Sequence, residues 1–98
     1  MYGSPTGSKL ITGDAELFSA GDQVRVFNIH ILSSGGGAAV VSLKNGGAGG
    51  VVWITETGTT STGKTFEYGP QGHLFTNGCY VDVDTNTTSV LISCRKEN

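Results

Sequence analysis

The sequence is poor in charged residues, and it contains no long apolar run. Of its 98 residues only 14% are charged, six basic and eight acidic, and the formal net charge is −2. The basic residues are scattered except for Arg95 and Lys96, so no basic surface indicates a nucleic-acid partner or a membrane partner. No segment approaches the ~20 consecutive apolar residues that cross a bilayer. The composition therefore predicts neither nucleic-acid binding nor membrane insertion.

Helix-favouring residues are outnumbered by residues of strands and turns. The chain has 16 glycines, and glycine, threonine and valine are poor helix formers, whereas threonine and valine suit strands. A chain of this length forms one domain. We predict an all-β fold, an antiparallel two-sheet β-sandwich of about eight short strands and of jelly-roll type. It would occupy residues 9–98 and follow a flexible arm at residues 1–8.

An immunoglobulin-like sandwich is the alternative fold. Such domains place two cysteines on strands of opposite sheets, far apart in sequence. Cys79 and Cys94 are too close in sequence to form that pair. We therefore favour the jelly roll.

The longest predicted strand covers residues 23–33. Both of its faces carry apolar side chains: Phe27, Ile29 and Ile31 on one, and Val24 and Val26 on the other. This pattern indicates a strand that is covered on both sides. Residues 38–44 and 51–57 are predicted to form a hairpin, because Asn45 and Gly46 between them are a strong turn signal.

Residues 79–84 and 89–94 are predicted to form a second hairpin around a polar loop. Its apolar face carries three cross-strand pairs, Cys79 with Cys94, Val81 with Ile92, and Val83 with Val90. Tyr80 and Leu91 fall on its opposite, polar face. The first residues lack the cationic and apolar segments of a signal peptide, so we expect synthesis in a cytoplasm. In that compartment the two thiols are expected to be free and buried rather than bonded.

Residues 58–65 match the P-loop pattern G-x-x-x-x-G-K-[ST]. A true P-loop opens a helix, whose N-terminal amides hold the phosphates. The following residues have the pattern of a strand and reach Gly69 and Pro70 within five positions, which leaves no room for a helix. We therefore interpret the match as a connecting segment.

A short acidic motif imitates the first half of a calcium-binding loop. It consists of Asp82, Asp84 and Asn86. Thr87 and Ser93 stand where such a loop needs its glycine and its bidentate glutamate. We interpret the aspartates as solvated side chains.

No other residues predict chemistry. His30 and His73 have no second ligand at metal-binding spacing, and no base is placed beside a serine or cysteine nucleophile. We expect no enzymatic activity, no cofactor and no metal site. Three large side chains remain as candidate partner contacts: Tyr80, Leu91 and Trp53.

The C-terminal three quarters of the chain carries a recognisable pattern. A glycine-rich turn and the strand at residues 51–57 are followed by Phe-Thr-Asn-Gly-Cys-Tyr-Val at residues 75–81 and by a short closing strand at residues 89–93. Between residues 23 and 94 this pattern resembles small single-domain β-sandwich virion proteins of tailed bacteriophages, such as capsid decoration or cement proteins. The resemblance implies a homo-oligomeric structural protein that packs on the major capsid or tail protein. It also implies synthesis in the host bacterial cytoplasm and a final location in the virion.

Two functional hypotheses follow. The first is a non-enzymatic decoration protein on the particle surface. The alternative is a tail-associated structural module or a carbohydrate- or receptor-binding module of a spike or fibre, because jelly rolls also serve as lectins. In that case Trp53 or Tyr80 would stack on the ligand.

Overall fold

A computed structural model describes residues 7–97, in which nine strands and no helix are found. The strands are β1 (Gly7–Ile11), β2 (Ala15–Phe18), β3 (Val24–Ser33), β4 (Val40–Asn45), β5 (Val51–Thr57), β6 (Gly63–Glu67), β7 (His73–Phe75), β8 (Cys79–Val83) and β9 (Thr87–Lys96). β1 therefore begins at Gly7, inside the segment predicted as an arm, and the rest of that segment, residues 1–6, lies outside the described residues. Within residues 7–97 the search for an apolar helix of membrane-spanning length finds none.

The strands form two antiparallel sheets with jelly-roll topology. The five-stranded sheet has the order β1-β9-β3-β6, and β7 also pairs with β3; the four-stranded sheet has the order β2-β8-β4-β5. The pairing is nested around the β4–β5 hairpin, with β3 on β6, β2 on β8 and β1 on β9. Nested pairs that alternate between two sheets define a jelly roll. The predicted all-β jelly-roll sandwich is confirmed, and the immunoglobulin-like alternative, which has another strand order, is not.

The core lies between the two sheets and contains apolar side chains from both. Its largest fully buried members are Phe75, Ile29, Ile31, Leu43, Ile92, Val24, Val26, Val41, Val81 and Val90. β7 is a short strand of three residues. It pairs with residues 24–26 of β3, beside the part of β3 that pairs with β6, and it thereby brings Phe75 into the core.

The predicted division of the apolar residues of β3 between two opposite faces is wrong. The pairing of β3 with β9 shifts by one residue between Val26 and Asn28, so Phe27 is an extra residue in β3. Such a β-bulge resets the alternation of side chains. Val24 and Val26 before the bulge and Ile29 after it consequently face the same core, whereas His30 is exposed.

The predicted hairpin of residues 79–94 is also wrong. β8 belongs to the four-stranded sheet and β9 to the five-stranded sheet. A tight turn joins them: the Thr87 amide donates to the Asp84 carbonyl, and the Asp84 carboxylate accepts from the Asn86 amide at 3.1 Å. The predicted faces are nevertheless correct, since Cys79 and Cys94 both point into the core. They approach it from opposite sheets instead of pairing across strands.

The β4–β5 hairpin is confirmed. Its loop contains Gly46 and Gly47 with φ values of 106° and 89°, which glycine adopts at little cost. The pairing shifts between Leu43 and Lys44, so that Trp53 has no register partner in β4. This second bulge lies at the outer edge of the four-stranded sheet.

Candidate interaction surfaces

Two of the predicted contact residues lie on opposite sides of the molecule. Leu91 is on the outer face of the five-stranded sheet, where it pairs with Leu10 and His30. Tyr80 is half-buried on the outer face of the four-stranded sheet, where it pairs with Glu16 and Lys44. The two residues were predicted on one face because residues 79–84 and 89–94 were expected to pair as a hairpin. Any contact role for Tyr80 is therefore separate from one for Leu91.

The outer face of the five-stranded sheet carries a charge-poor apolar area, here called the leucine face. It consists of Leu10, Leu32 and Leu91, which are 64%, 38% and 42% exposed, around the exposed ring of His30. One row of paired residues across the sheet reads Leu10, Leu91, His30 and Thr65. This row contains no carboxylate, lysine or arginine. Depletion of charge around large apolar side chains is typical of the centre of a protein interface.

Serine and glycine follow the leucines on this face. In the adjacent row Ser89 and Gly63 flank Leu32. The serine side chain is small and glycine has none, which leaves the sheet surface flat here. On the other side Ser8, Ser93 and Asn28 lead to Glu67 at the edge. The leucine face thus has an apolar centre and a polar rim.

A second apolar area, here called the edge patch, lies on β5. It consists of the consecutive residues Val51, Val52 and Trp53, which are 66%, 47% and 40% exposed. β5 is one of the two edge strands of the four-stranded sheet. Trp53, predicted as a contact residue, lies in this patch, whereas Val51 and Val52 did not stand out in the sequence because an apolar strand resembles a buried one.

The indole of Trp53, on the four-stranded sheet, contacts side chains of the five-stranded sheet. It stacks on Phe75 with ring centroids 5.5 Å apart, and it meets the edge of His73 at 5.8 Å. His73 Nε2 is buried there and has no hydrogen-bond partner in the described residues. Further along β5, Glu56 Oε2 accepts a hydrogen bond from the Tyr68 hydroxyl at 3.0 Å. Trp53 is therefore part of the core edge and part of the surface at once.

The P-loop-like segment does not have P-loop structure. Residues 58–62 connect β5 to β6, and Gly63, Lys64 and Thr65 belong to β6, which pairs antiparallel with β3. A β-carbon at Gly63 would come within 2.5 Å of His30 Nε2. The close approach of the His30 ring explains why this position needs glycine. The interpretation of the segment as a connection is confirmed.

The acidic motif is divided among separate structural roles. Asp82 forms an ion pair with Lys44 at 3.1 Å. Asp84 holds the turn before β9 through its bonds to the Asn86 amide and the Thr87 hydroxyl. Among residues 7–97 there is no group of three or more histidine, cysteine or acidic side chains arranged to hold a metal ion.

The two cysteines are free and buried, as predicted. Burial raises the pKa of the Cys79 thiol to about 12, and the neighbouring Cys94 acts in the same direction. Burial also raises the pKa of Cys94, which Lys9 partly offsets. A thiol that stays protonated is a poor nucleophile and metal ligand. Both cysteines therefore act as small apolar core residues.

These thiols predict a loss of stability at alkaline pH. In the unfolded chain Cys79 ionises near its ordinary pKa of 9.0, but in the folded chain it ionises only near 12. The contribution of Cys79 to the free energy of unfolding is fully present below pH 9. It is lost as the pH rises from 9 towards 12, by about 1.4 kcal/mol per pH unit at most. Urea unfolding at several pH values should show this decline, and Cys79→Ala should flatten it.

Tyr68 provides the control for this pH series. Burial and the hydrogen bond to Glu56 raise the pKa of its hydroxyl above the ordinary value of 10.0, so Tyr68 adds to the alkaline loss. Tyr68→Phe should remove that part and leave the part due to Cys79. If Cys79→Ala has the same pH slope as the wild type, the thiol does not contribute.

The fold and its surfaces define a small jelly-roll protein with two exposed apolar areas. No family model matches the sequence, and a search of curated proteins finds no match. Among solved structures, a Bacillus endospore appendage protein of "a novel family of disulfide-linked pili" aligns over 99% of this chain and 90% of its own, with 11% identity and a TM-score of 0.57. This match shows a shared fold.

Two further structures align with lower TM-scores. PirA covers 94% of this chain and 93% of its own at 12% identity, with a TM-score of 0.43. The particle protein of the Macrobrachium rosenbergii extra small virus covers 94% of this chain and 77% of its own at 11% identity, with a TM-score of 0.40.

Proposed function

We propose that this protein is a structural subunit of a homo-oligomeric particle. The observation that carries the proposal is the presence of two separate apolar surfaces, the leucine face and the edge patch, on one 98-residue sandwich. A closed dimer needs only one self-complementary surface, whereas a shell or filament needs at least two different contacts for each subunit. Many such contacts add up even where each one is weak.

Within this class we favour a decoration protein on the capsid of a tailed bacteriophage. The support is the sequence pattern at residues 75–81 and its resemblance to virion proteins of that kind. A decoration protein needs one surface for the shell and another for its own copies. The flat leucine face suits a broad shell surface, and the edge patch suits a neighbouring subunit.

A subunit of a fibre is the second candidate. Its support is the shared fold with a protein of the endospore appendages, which form pili. Those pili are described as disulfide-linked, whereas both cysteines of this chain are buried in its core. A fibre of this protein would therefore be held by non-covalent contacts.

The leucine face provides the test of self-assembly and particle binding. A fibre subunit is expected to form species larger than a dimer in sedimentation velocity runs at rising protein concentration, whereas a decoration protein is expected to use this face to bind the capsid. Leu91→Lys places a charge in the centre of this face and should weaken either association by roughly tenfold or more. Thr59→Lys, in an exposed connecting segment, adds the same charge elsewhere and should have no effect.

Particles distinguish the two candidates. A decoration protein should sediment in stoichiometric amounts with empty capsids of its phage and raise their melting temperature. A fibre subunit should instead form filaments visible by electron microscopy in the concentrated protein alone. A chain that stays monomeric at every concentration and does not sediment with capsids would contradict the proposed function.

A further inference from the structure

β5 is the least protected of the sheet edges in the described chain. No strand of residues 7–97 pairs with its outer side. Edge strands normally avoid pairing with other chains by being short, by bulges or by charged side chains. β2 has only four residues and a register shift, β7 has only three residues, β1 carries Lys9, and β6 carries Lys64. β5 has a bulge, but it has seven residues and contains neither lysine nor proline.

The charges on β5 do not oppose its pairing with β5 of a second copy. Glu56 is its only ionisable residue. The Glu56 carboxylate is turned toward the core edge, where it accepts the hydrogen bond of Tyr68. Two β5 strands can therefore approach each other without opposing like charges, which would be unfavourable across a strand pair.

The exposed apolar side chains of β5 also need a cover. Val51 is among the most exposed large apolar side chains of the described residues, at 66%. Trp53 is held in place by Phe75 and His73, so its exposed part costs little conformational entropy to bury. Rigid aromatic side chains of this kind commonly anchor interfaces.

We propose that β5 pairs antiparallel with β5 of a second copy across a two-fold axis. This contact joins two four-stranded sheets into one continuous sheet and covers Val51, Val52 and Trp53 of both copies. An antiparallel pair of identical strands satisfies two-fold symmetry, the commonest symmetry of homo-oligomers. The inference rests on the proposed function, since it assigns one of the two subunit contacts.

Trp53 is the only tryptophan of the chain, and its fluorescence reports on this contact directly. As the protein associates, the emission of Trp53 should shift to shorter wavelength and its quenching by acrylamide should fall. Val52→Lys places a charge at the strand edge in both copies and should weaken dimerisation by at least roughly tenfold. Leu91→Lys is the matched variant on the other surface and should leave the fluorescence change intact.

The design separates the two proposals. Leu91→Lys retains the edge patch, so it should stop at dimers; growth of this variant to larger species would overturn two-fold pairing in favour of head-to-tail contacts. Oligomers with unchanged Trp53 fluorescence and no response to Val52→Lys would overturn the assignment to β5 and leave the proposed function standing. A monomer at all concentrations overturns the β5 pairing, and it contradicts the proposed function as well if the protein also fails to sediment with capsids. Far-UV circular dichroism and thermal melting check that each variant is folded.

Discussion

Phe75→Ala is expected to lower the free energy of unfolding by about 3–5 kcal/mol. Phe75 is fully buried and is the largest fully buried side chain among residues 7–97. It also supports Trp53 and His73, whose rings lie 5.5 and 5.1 Å from its own. Its removal leaves a cavity at the edge of the core, where two sheets and β7 meet. Since a typical domain has only about 5–15 kcal/mol of stability, the loss is a large part of the total.

The measurement is urea unfolding followed by far-UV circular dichroism, because the fluorescence of Trp53 is itself altered by the loss of Phe75. Phe66→Ala is the matched control: it removes the same atoms from a side chain that is only half-buried in β6. We expect a clearly smaller loss there. Equal losses for the two variants would show that Phe75 has no special place in the core.

The importance of Phe75 could not be predicted from its local sequence. The three residues of β7 do not reveal from their own sequence which sheet they join. The structure places β7 on β3, and this pairing brings Phe75 beneath Trp53 of the opposite sheet. The contact depends on the order of the strands, and that order is set by interactions distant in sequence.

The alternation of side chains in β8 and β9 correctly predicted which residues face the core, but it did not predict which strands pair. Cys79, Val81, Val90, Ile92 and Cys94 all face the core, as their two-residue period indicated. The same period is expected whether two strands are hydrogen-bonded neighbours or face each other across the core, since both arrangements bury every second residue. For this reason the sequence pattern was compatible with a hairpin that the structure divides between two sheets.

The two bulges explain the remaining errors in the surfaces. An extra residue at Phe27 moves Val24 and Val26 to the same side as Ile29, and nothing in the local composition marks that position. The extra residue at Trp53 similarly turns an apolar strand into one with three consecutive exposed side chains. Trp53 was identified as a contact candidate by its size, and Leu91 by its place on the polar face of the predicted hairpin. The leucine face could not be, because Leu10 and Leu32 become its neighbours only through pairing.

The fold relates the two surfaces to each other. β5 is an outer strand of the four-stranded sheet, whereas β9 and β3 are inner strands of the five-stranded sheet. A contact at the β5 edge therefore extends a sheet sideways, and a contact on the leucine face stacks sheets upon one another. Two contacts in different directions are the condition for an assembly that continues beyond a dimer.

Gly78→Ala is expected to destabilise the fold by about 3–4 kcal/mol, from backbone strain and steric overlap together. Gly78 has a φ of 74°, in the left-handed region that disfavours side chains. A β-carbon there would lie 2.5 Å from the carbonyl oxygens of Phe18 and Ser19. These are backbone atoms, so they cannot move aside as a flexible side chain could.

Gly69→Ala is the control that separates the two causes. Gly69 has a similar φ of 81°, but an added β-carbon meets no atom within 4 Å. Its replacement should cost only the strain of the left-handed backbone, about 1–2 kcal/mol. Thermal and urea unfolding of both variants measure the difference. Equal losses would mean that the connection after β2 shifts to admit the methyl group.

The loss at Gly78 should extend beyond its own turn. The Gly78 amide donates to the Asp22 carbonyl at 2.6 Å, and the Asn77 side chain accepts from the Gly21 amide at 2.6 Å. These bonds tie the start of β8 to the connection between β2 and β3, which passes from one sheet to the other. Amide hydrogen exchange in Gly78→Ala should therefore accelerate in β2 and β8 together, whereas in Gly69→Ala both strands should keep wild-type protection.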